Sequence, residues 1–471
     1  MKGFKKFLLP TLGAIAAVSL GSCGMSHEGE PNNGVTKNED GTFTVRVGNT
    51  NGISVAPTVF LPMDYGFRAY AHHYGEKENG GKVKIDFKFR DDAWNLTGQR
   101  SAVTSQLLQD DKVFGLVYSY EDQANLLEQN DKVEVYTPLT QAYYQESGDR
   151  VASFPIQPID YVEGMQLLAS AFAKGEKGLG ASKVGVIAGN GQNGTDVVKG
   201  IKAEAEKLGK VENTDLFITR AENAALTDVT GNIATLKEAG VDVIILSEVG
   251  NTYSSILSGI VAANWSDVIV FASYKFSNSS YFKTAYDAGF LAAGRRLVTP
   301  GWIAAGVQNA ETYDEWASYV EHLTEYAKAE NLALVTSKEE NVKEGVTIDT
   351  VAPEVVAELE SKYAWAAEGV SPYFYDSYTM AGYIGMHVFC QGITGLYKND
   401  LLENASTLDY VNVMEKSGMH IPMSTVDLSL KDGARTGARA MTLVECTVEN
   451  HSLGEPLRTF YDIPVLEKAA K

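Results

Sequence analysis

From Thr42 to about Tyr274 the chain repeats one pattern: a short run of β-branched and aliphatic residues, a longer segment with the spacing of an amphipathic helix, then a turn. "TFTVRVGNT" is followed by "TVFLPMDYGFRAYAHHYGEK", "KVKIDFKFRDD" by "LTGQRSAVTSQLLQDD", and "VFGLVYS" by "DQANLLEQN" and "VEVYTPL". Strands separated by helix-length segments predict parallel βαβ units with helices on both faces of the sheet. The pattern breaks at "SFPIQPID", where Pro155 and Pro158 exclude helix and central strand alike. It then restarts, with strands "KVGVIAGN", "DLFITR", "VDVIILSEV" and "DVIVFASY" separated by helical segments. The predicted fold class is α/β, with two doubly wound parallel-sheet lobes. A length of 471 residues and 44% hydrophobic content give such lobes ample core.

The later chain differs. A strand-like "RRLVTPGWIA" leads into helices around "ETYDEWASYVEHLTEYAKAEN", "APEVVAELESKYAWAAEG" and "PYFYDSYTMAGYIGMHVFCQGI". Asp432 and Gly433 then form a short hairpin signal between two strand-like runs. This tail predicts recrossing between the lobes rather than a third domain.

The chain begins "MKGFKKFLLPTLGAIAAVSLGSCG": Lys2, Lys5 and Lys6, an apolar run from Phe7 to Leu20, and small residues before Cys23. This reads as a secretory signal over residues 1–22, too short for a stable membrane span. "LGSC" resembles the bacterial lipobox, which makes Cys23 the mature N-terminus and a lipid anchor; the alternative is an ordinary signal that happens to contain it. Residues 23–41 are polar and aperiodic and read as a flexible tether. The expected location is extracytoplasmic, lipid-anchored to a bacterial membrane.

A net charge of −20 argues against a nucleic-acid partner, since phosphate binding needs clustered Lys and Arg. Cys390 and Cys446 are equally compatible with a disulfide and with two buried thiols. Adjacent His72 and His73 point in different directions on a helix and do not suggest a shared metal site. No zinc signature or nucleophile elbow is visible, so neither an enzyme nor a cofactor is expected. Gly189, Gly191 and Gly194 have the spacing G-x-G-x-x-G between a strand and a helix. That spacing fits a dinucleotide loop, for which Glu222 would be the ribose acid, and equally any tight strand-to-helix turn.

Several stretches carry a family resemblance. "NGGKVKIDFKFRDDAWNLTGQRSAVTSQLLQDDKVFGLVYS", with paired Asp91 and Asp92, "VYTPLTQ", the glycine loop, and "YFYDSYTMAGYIG" occur in an order similar to the type I periplasmic binding proteins. More narrowly, from about Thr42 to Val448 the chain resembles the leucine/branched-chain amino-acid-binding proteins of ABC importers. The resemblance implies three crossings that form a hinge, near 153–158, 297–301 and 441–447. Lobe one would then comprise 42–153 plus 302–440, and lobe two 159–297 plus 447–466. It further implies a solute held between closing lobes and handed to a membrane permease, with the receptor a monomer. The alternatives are a sensor that signals through the same closure to a membrane partner and, less favoured for want of a nucleophile elbow or zinc signature, an exported α/β enzyme.

The resemblance also implies site residues. In the first lobe they are Ser119, flanked by Tyr118 and Tyr120, with Leu139, Thr140 and Gln141; Gln141 stands where the family commonly has Thr or Ser. In the second lobe they are Asn193, Glu248, Tyr274 and Lys275. The family places an acid after the "VIVFASY" strand to pair with a ligand ammonium, and this chain has Tyr274 and Lys275 there. Glu248 or Asp376 must take that role, or the cargo is not a simple α-amino acid. If Lys275 faces the cleft it favours a second anionic group on the solute; otherwise it is a solvated loop lysine. Tyrosines near strand ends and in "SPYFYDSY", Tyr373 among them, suit an aromatic, cyclic or moderately polar ligand as well as a branched aliphatic one, and the expected cargo is an amino acid or a similar small amphipathic carboxylate or amide.

Overall fold

The computed structural model describes residues 28–94, 98–136, 152–175, 178–221, 224–247, 249–276, 279–301, 313–337, 353–423, 430, 442–446 and 456–457. Its strands form two sheets. In the first, β2 (Phe43–Asn51) pairs in parallel along its whole length with β3 (Val83–Asp91). Its other edge takes β1 (Val35–Lys37), antiparallel, and then β4 (Gly115–Val117), parallel; β5 (Val133–Tyr136) and β6 (Ser153–Pro155) complete the sheet. The connecting helices are α1 (Pro57–Glu76), α2 (Gln99–Gln109) and α3 (Glu121–Gln129).

The second sheet runs β8 (Leu216–Arg220), β7 (Val184–Gly189), β9 (Val243–Ser247), β10 (Ile269–Ala272) and β11 (Arg296–Gly301), all parallel. Antiparallel β12 (Thr442–Cys446) and β13 (Pro456–Leu457) close its edge. Its helices are α4 (Asp160–Phe172), α5 (Gln192–Leu208), α6 (Leu226–Glu238), α7 (Thr252–Ala262) and α8 (Ser279–Asp287). The apolar run of β9 is buried on both faces: Val243 and Ile245 enter the core under α4 and α5, and Ile244 and Leu246 the core under α6 and α7. Burial on both faces explains why this strand reads as continuously hydrophobic.

Between β11 and β12 the chain builds α9 (Tyr313–Ala329), α10 (Pro353–Lys362), α11 (Ser377–Lys398) and α12 (Thr407–Ser417). Trp316, Ile384 and Tyr410 from these helices share one core with Val45, Phe67 and Phe154 of the first lobe. The chain therefore leaves the second sheet at β11, packs against the first, and returns at β12, whose Glu445 accepts two hydrogen bonds from Arg296 at 2.7 and 2.8 Å. The hairpin expected around Asp432 and Gly433 lies outside the described residues.

Helices pack at two glycine crossings. A Cβ on Gly66 of α1 would overlap the Thr379 carbonyl of α11, and one on Gly382 that of Met63; Gly164 and Gly200 do the same for α4 and α5. Only a missing side chain allows the backbones this approach.

The tether assignment needs correction from residue 28 onward. Asn32 is buried and donates to the Phe114 carbonyl at 3.0 Å and to Thr407 at 3.1 Å, while its own oxygen accepts from Lys132 at 2.8 Å. With β1 paired to β2, this polar segment is built into the first lobe. Its polarity misled because Asn and Gly serve here as hydrogen-bond and close-approach residues rather than as linker.

Candidate functional site

In open α/β sheets ligands bind beyond the carboxyl ends of the parallel strands. At that end of the first sheet the polar residues are tied together before any solute arrives. Asn49 donates to the Val117 carbonyl at 2.8 Å, Asn51 to Asn49 at 2.9 Å, and the Tyr120 hydroxyl to Asn51 at 2.9 Å. Ala93, Trp94 and Tyr118 hold positive φ of 49°, 55° and 54° just past β3 and β4. Left-handed backbone at non-glycine residues costs energy and concentrates where function fixes the chain. Asp91 and Asp92 support that turn by accepting the Ala93 and Trp94 N–H groups, each at 2.8 Å.

Ser119 is buried, and its hydroxyl donates to Glu134, whose other oxygen accepts from Ser153 at 2.6 Å. With its proton so directed, the Ser119 oxygen offers lone pairs, the complement of a solute N–H group. Tyr118 and Tyr120 meet edge to face at 5.6 Å, and Trp94 meets Tyr120 at 5.6 Å.

At the second sheet, Ser273, Tyr274 and Lys275 follow β10. Glu163 of α4 accepts from the Ser273 hydroxyl at 2.6 Å and the Tyr274 N–H at 3.0 Å, and Asp160 pairs with Lys275 at 2.8 Å. Tyr274 is buried in the same apolar cluster as Tyr118 and Tyr120 of the first lobe. Burial raises the hydroxyl pKa of Tyr378 on α11, and Tyr118 of the same lobe and Tyr281 of α8 add to it, so tyrosines of both lobes converge. Asn193 is half-buried in the first turn of α5.

Residues 44–338 match the family model described as periplasmic binding protein, more than half of the chain. The chain belongs to this family of periplasmic binding proteins. Solved structures agree in fold. A solute-binding protein of an ABC transporter from R. palustris, in complex with 4-hydroxybenzoate, is 14% identical, with TM-score 0.61, 89% of this chain and 98% of that one covered. An ABC-transporter substrate-binding protein from Aeropyrum pernix is 12% identical, with TM-score 0.63 and 89% and 96% covered. A branched-chain amino acid ABC transporter protein from Thermus thermophilus with bound valine is 12% identical, with TM-score 0.57 and 89% and 96% covered. No curated protein matches the chain significantly.

Within this periplasmic binding protein, Tyr118, Tyr120 and Tyr274 belong to one apolar core cluster, and Ser119 lies between the two first-lobe tyrosines in sequence. Leu139, Thr140, Gln141, Glu248, Glu222 and Cys23 lie outside the described residues. Tyr373 is 37% exposed and packs its ring on Tyr65 at 4.8 Å. Asp376 is spent as the N-cap of α11, accepting the Tyr378 and Thr379 N–H groups at 2.8 and 3.0 Å, and burial raises its pKa. Lys275, read as either an anion hook or a solvated lysine, is instead nearly buried and held by Asp160.

The glycine loop has a steric explanation. A Cβ on Gly194 would overlap the Gly189 carbonyl, so the third glycine lets α5 start against β7, whereas Gly191 has open space around it. Sequence reasoning missed Glu134, Asp160, Glu163 and Arg100. Each is a charged residue inside a strand or helix pattern, and only the fold reveals its partner.

Proposed function

We propose that this periplasmic binding protein is a lipid-anchored, extracytoplasmic receptor that closes its lobes on an amino acid or a similar small amphipathic carboxylate or amide and presents it to an ABC permease. The observation that carries the reading is the burial of Tyr274 of the second lobe in one cluster with Tyr118 and Tyr120 of the first. A solute can shift an open–closed equilibrium only by contacting both lobes, and tyrosine supplies an apolar face with a hydroxyl handle for such a contact. Ser119, Leu139, Thr140, Gln141, Asn193, Glu248 and Tyr373 complete the proposed set, with Cys23 as the lipid attachment. The molecules bound in the R. palustris and T. thermophilus structures, 4-hydroxybenzoate and valine, define the first probes.

The test is a thermal-unfolding screen of the chain without its first 23 residues against aliphatic amino acids, benzoates and short amides. A native-state binder raises the midpoint by mass action. Ser119→Ala should weaken whichever solute binds by about tenfold, through loss of one hydrogen bond to it. No shift with any probe, or unchanged affinity in Ser119→Ala, would count against this cleft.

A further inference from the structure

Each lobe carries a cation near the strand ends that face the cleft, Arg100 buried and Lys275 nearly so, and each is held by an acid of its own lobe. In the first, Arg100 Nε donates to Asp92 Oδ2 at 2.6 Å, with the two side chains 1% and 0% exposed. In the second, Lys275 Nζ lies 2.8 Å from Asp160 Oδ1, with side chains 14% and 0% exposed. Asp160 is the first residue of α4, where the positive end of the helix dipole favours an acid. One turn on, Glu163 grips Ser273 and Tyr274, so α4 holds three successive residues after β10. Lys275 is thereby anchored toward α4, and its charge is compensated inside the second lobe.

We infer that Asp160 is a specificity-determining residue of the cleft: by neutralising Lys275 it withholds the positive charge that a second anionic group on the solute would require. The inference rests on the proposed reading that the cleft binds a small carboxylate or amide. A carboxylate stripped of water must find a cation or several donors, and is rejected where neither is offered. Solutes with one carboxylate, recognised through hydroxyls and backbone N–H groups, fit such a charge-compensated site; dianions do not. Negative selection of this kind is a difference between two affinities, so it is read as a ratio.

The experiment measures binding by titration calorimetry for two matched pairs, benzoate against terephthalate and leucine against glutamate. The wild-type chain should favour the first member of the binding pair by about tenfold or more. Asp160→Asn removes the carboxylate that compensates Lys275 and should shrink that ratio by about tenfold, and the double variant Asp160→Asn/Lys275→Met, which has neither charge, should restore it. An unchanged ratio in Asp160→Asn, or a wild-type preference for the second carboxylate, overturns the inference while leaving the receptor reading intact. If no probe binds any of the three proteins, the receptor reading fails and takes this inference with it. Lysine-labelling rates read by mass spectrometry need no variant. Lys275 should react slowly with and without benzoate, whereas a fast rate that benzoate suppresses would show the amine serving the solute and overturn the proposal.

Discussion

The guanidinium carbon of Arg100 sits 3.9 Å from the centre of the Tyr120 ring while Nε of the same group bonds Asp92. One buried arginine thus joins the turn after β3 to the residue that caps α3, through a charge pair and a cation–π contact. Arg100→Met leaves Asp92 buried and uncompensated and should cost about 3–5 kcal/mol. Adding Asp92→Asn should recover most of that loss in a double-mutant cycle. Denaturant unfolding of the four proteins checks this, and additive losses would show that the pair is not coupled.

Histidine chemistry predicts acid sensitivity of the first lobe. His73 of α1 and His322 of α9 stack at 3.3 Å, His322 Nδ1 shares a hydrogen bond with the Tyr383 hydroxyl at 2.6 Å, and His387 lies 6.3 Å from the Tyr383 ring. Glu78, Glu325 and Lys77 border His73, while Gln391 and the His420–Glu315 pair border His387. Burial first, then neighbouring histidines, lowers His322 to about 2 and His387 to about 3; burial also lowers His73. An unfolded histidine titrates near about 6.5, so below that pH the unfolded chain takes up protons that the folded chain refuses. Stability that is intact above about pH 6.5 should fall by about 1.4 kcal/mol per pH unit for His322 and again for His387 as the medium becomes more acidic. Unfolding midpoints from pH 7.5 to 4.5 should show this slope, and His387→Gln should remove one histidine's share. Identical slopes in the two proteins would refute it.

Glycine positions separate by steric demand. Gly382→Ala forces α1 and α11 apart and should destabilise by about 1–3 kcal/mol or more, as overpacking does. Gly194→Ala should behave similarly at the start of α5. Gly191→Ala, with φ of −81° and open space around it, should stay within about 0.5 kcal/mol. Equal costs at 191 and 194 would refute a packing origin for the motif.

Cys390 and Cys446 occupy separate cores, one in each lobe, so both are free thiols and the disulfide alternative falls away. Burial pushes Cys390 well above its ordinary value and Cys446 up to about 12. Thiol reagents should therefore label a chain beginning after Cys23 only upon unfolding, and a reductant should leave its unfolding midpoint unchanged. Rapid labelling of the native protein would contradict the burial.

Much of the architecture was legible in the sequence because it follows from local periodicity. The alternation from "TFTVRVGNT" to "DVIVFASY" encodes parallel strands and covering helices, and Pro155 and Pro158 mark the exit from the first sheet. The buried strands read as continuous apolar runs because both their faces are covered. Pairings between residues far apart in the chain were not legible. Glu163 with Ser273, Asp160 with Lys275, and Asn32 with Thr407 are each separated by more than a hundred residues, and nothing near any of them in sequence signals its partner. A local pattern fixes which side of an element is apolar, because that depends only on the geometry of one helix or strand. Which charge is neutralised, and so what the cleft offers a solute, depends on where several elements end in space, and only the tertiary structure decided that.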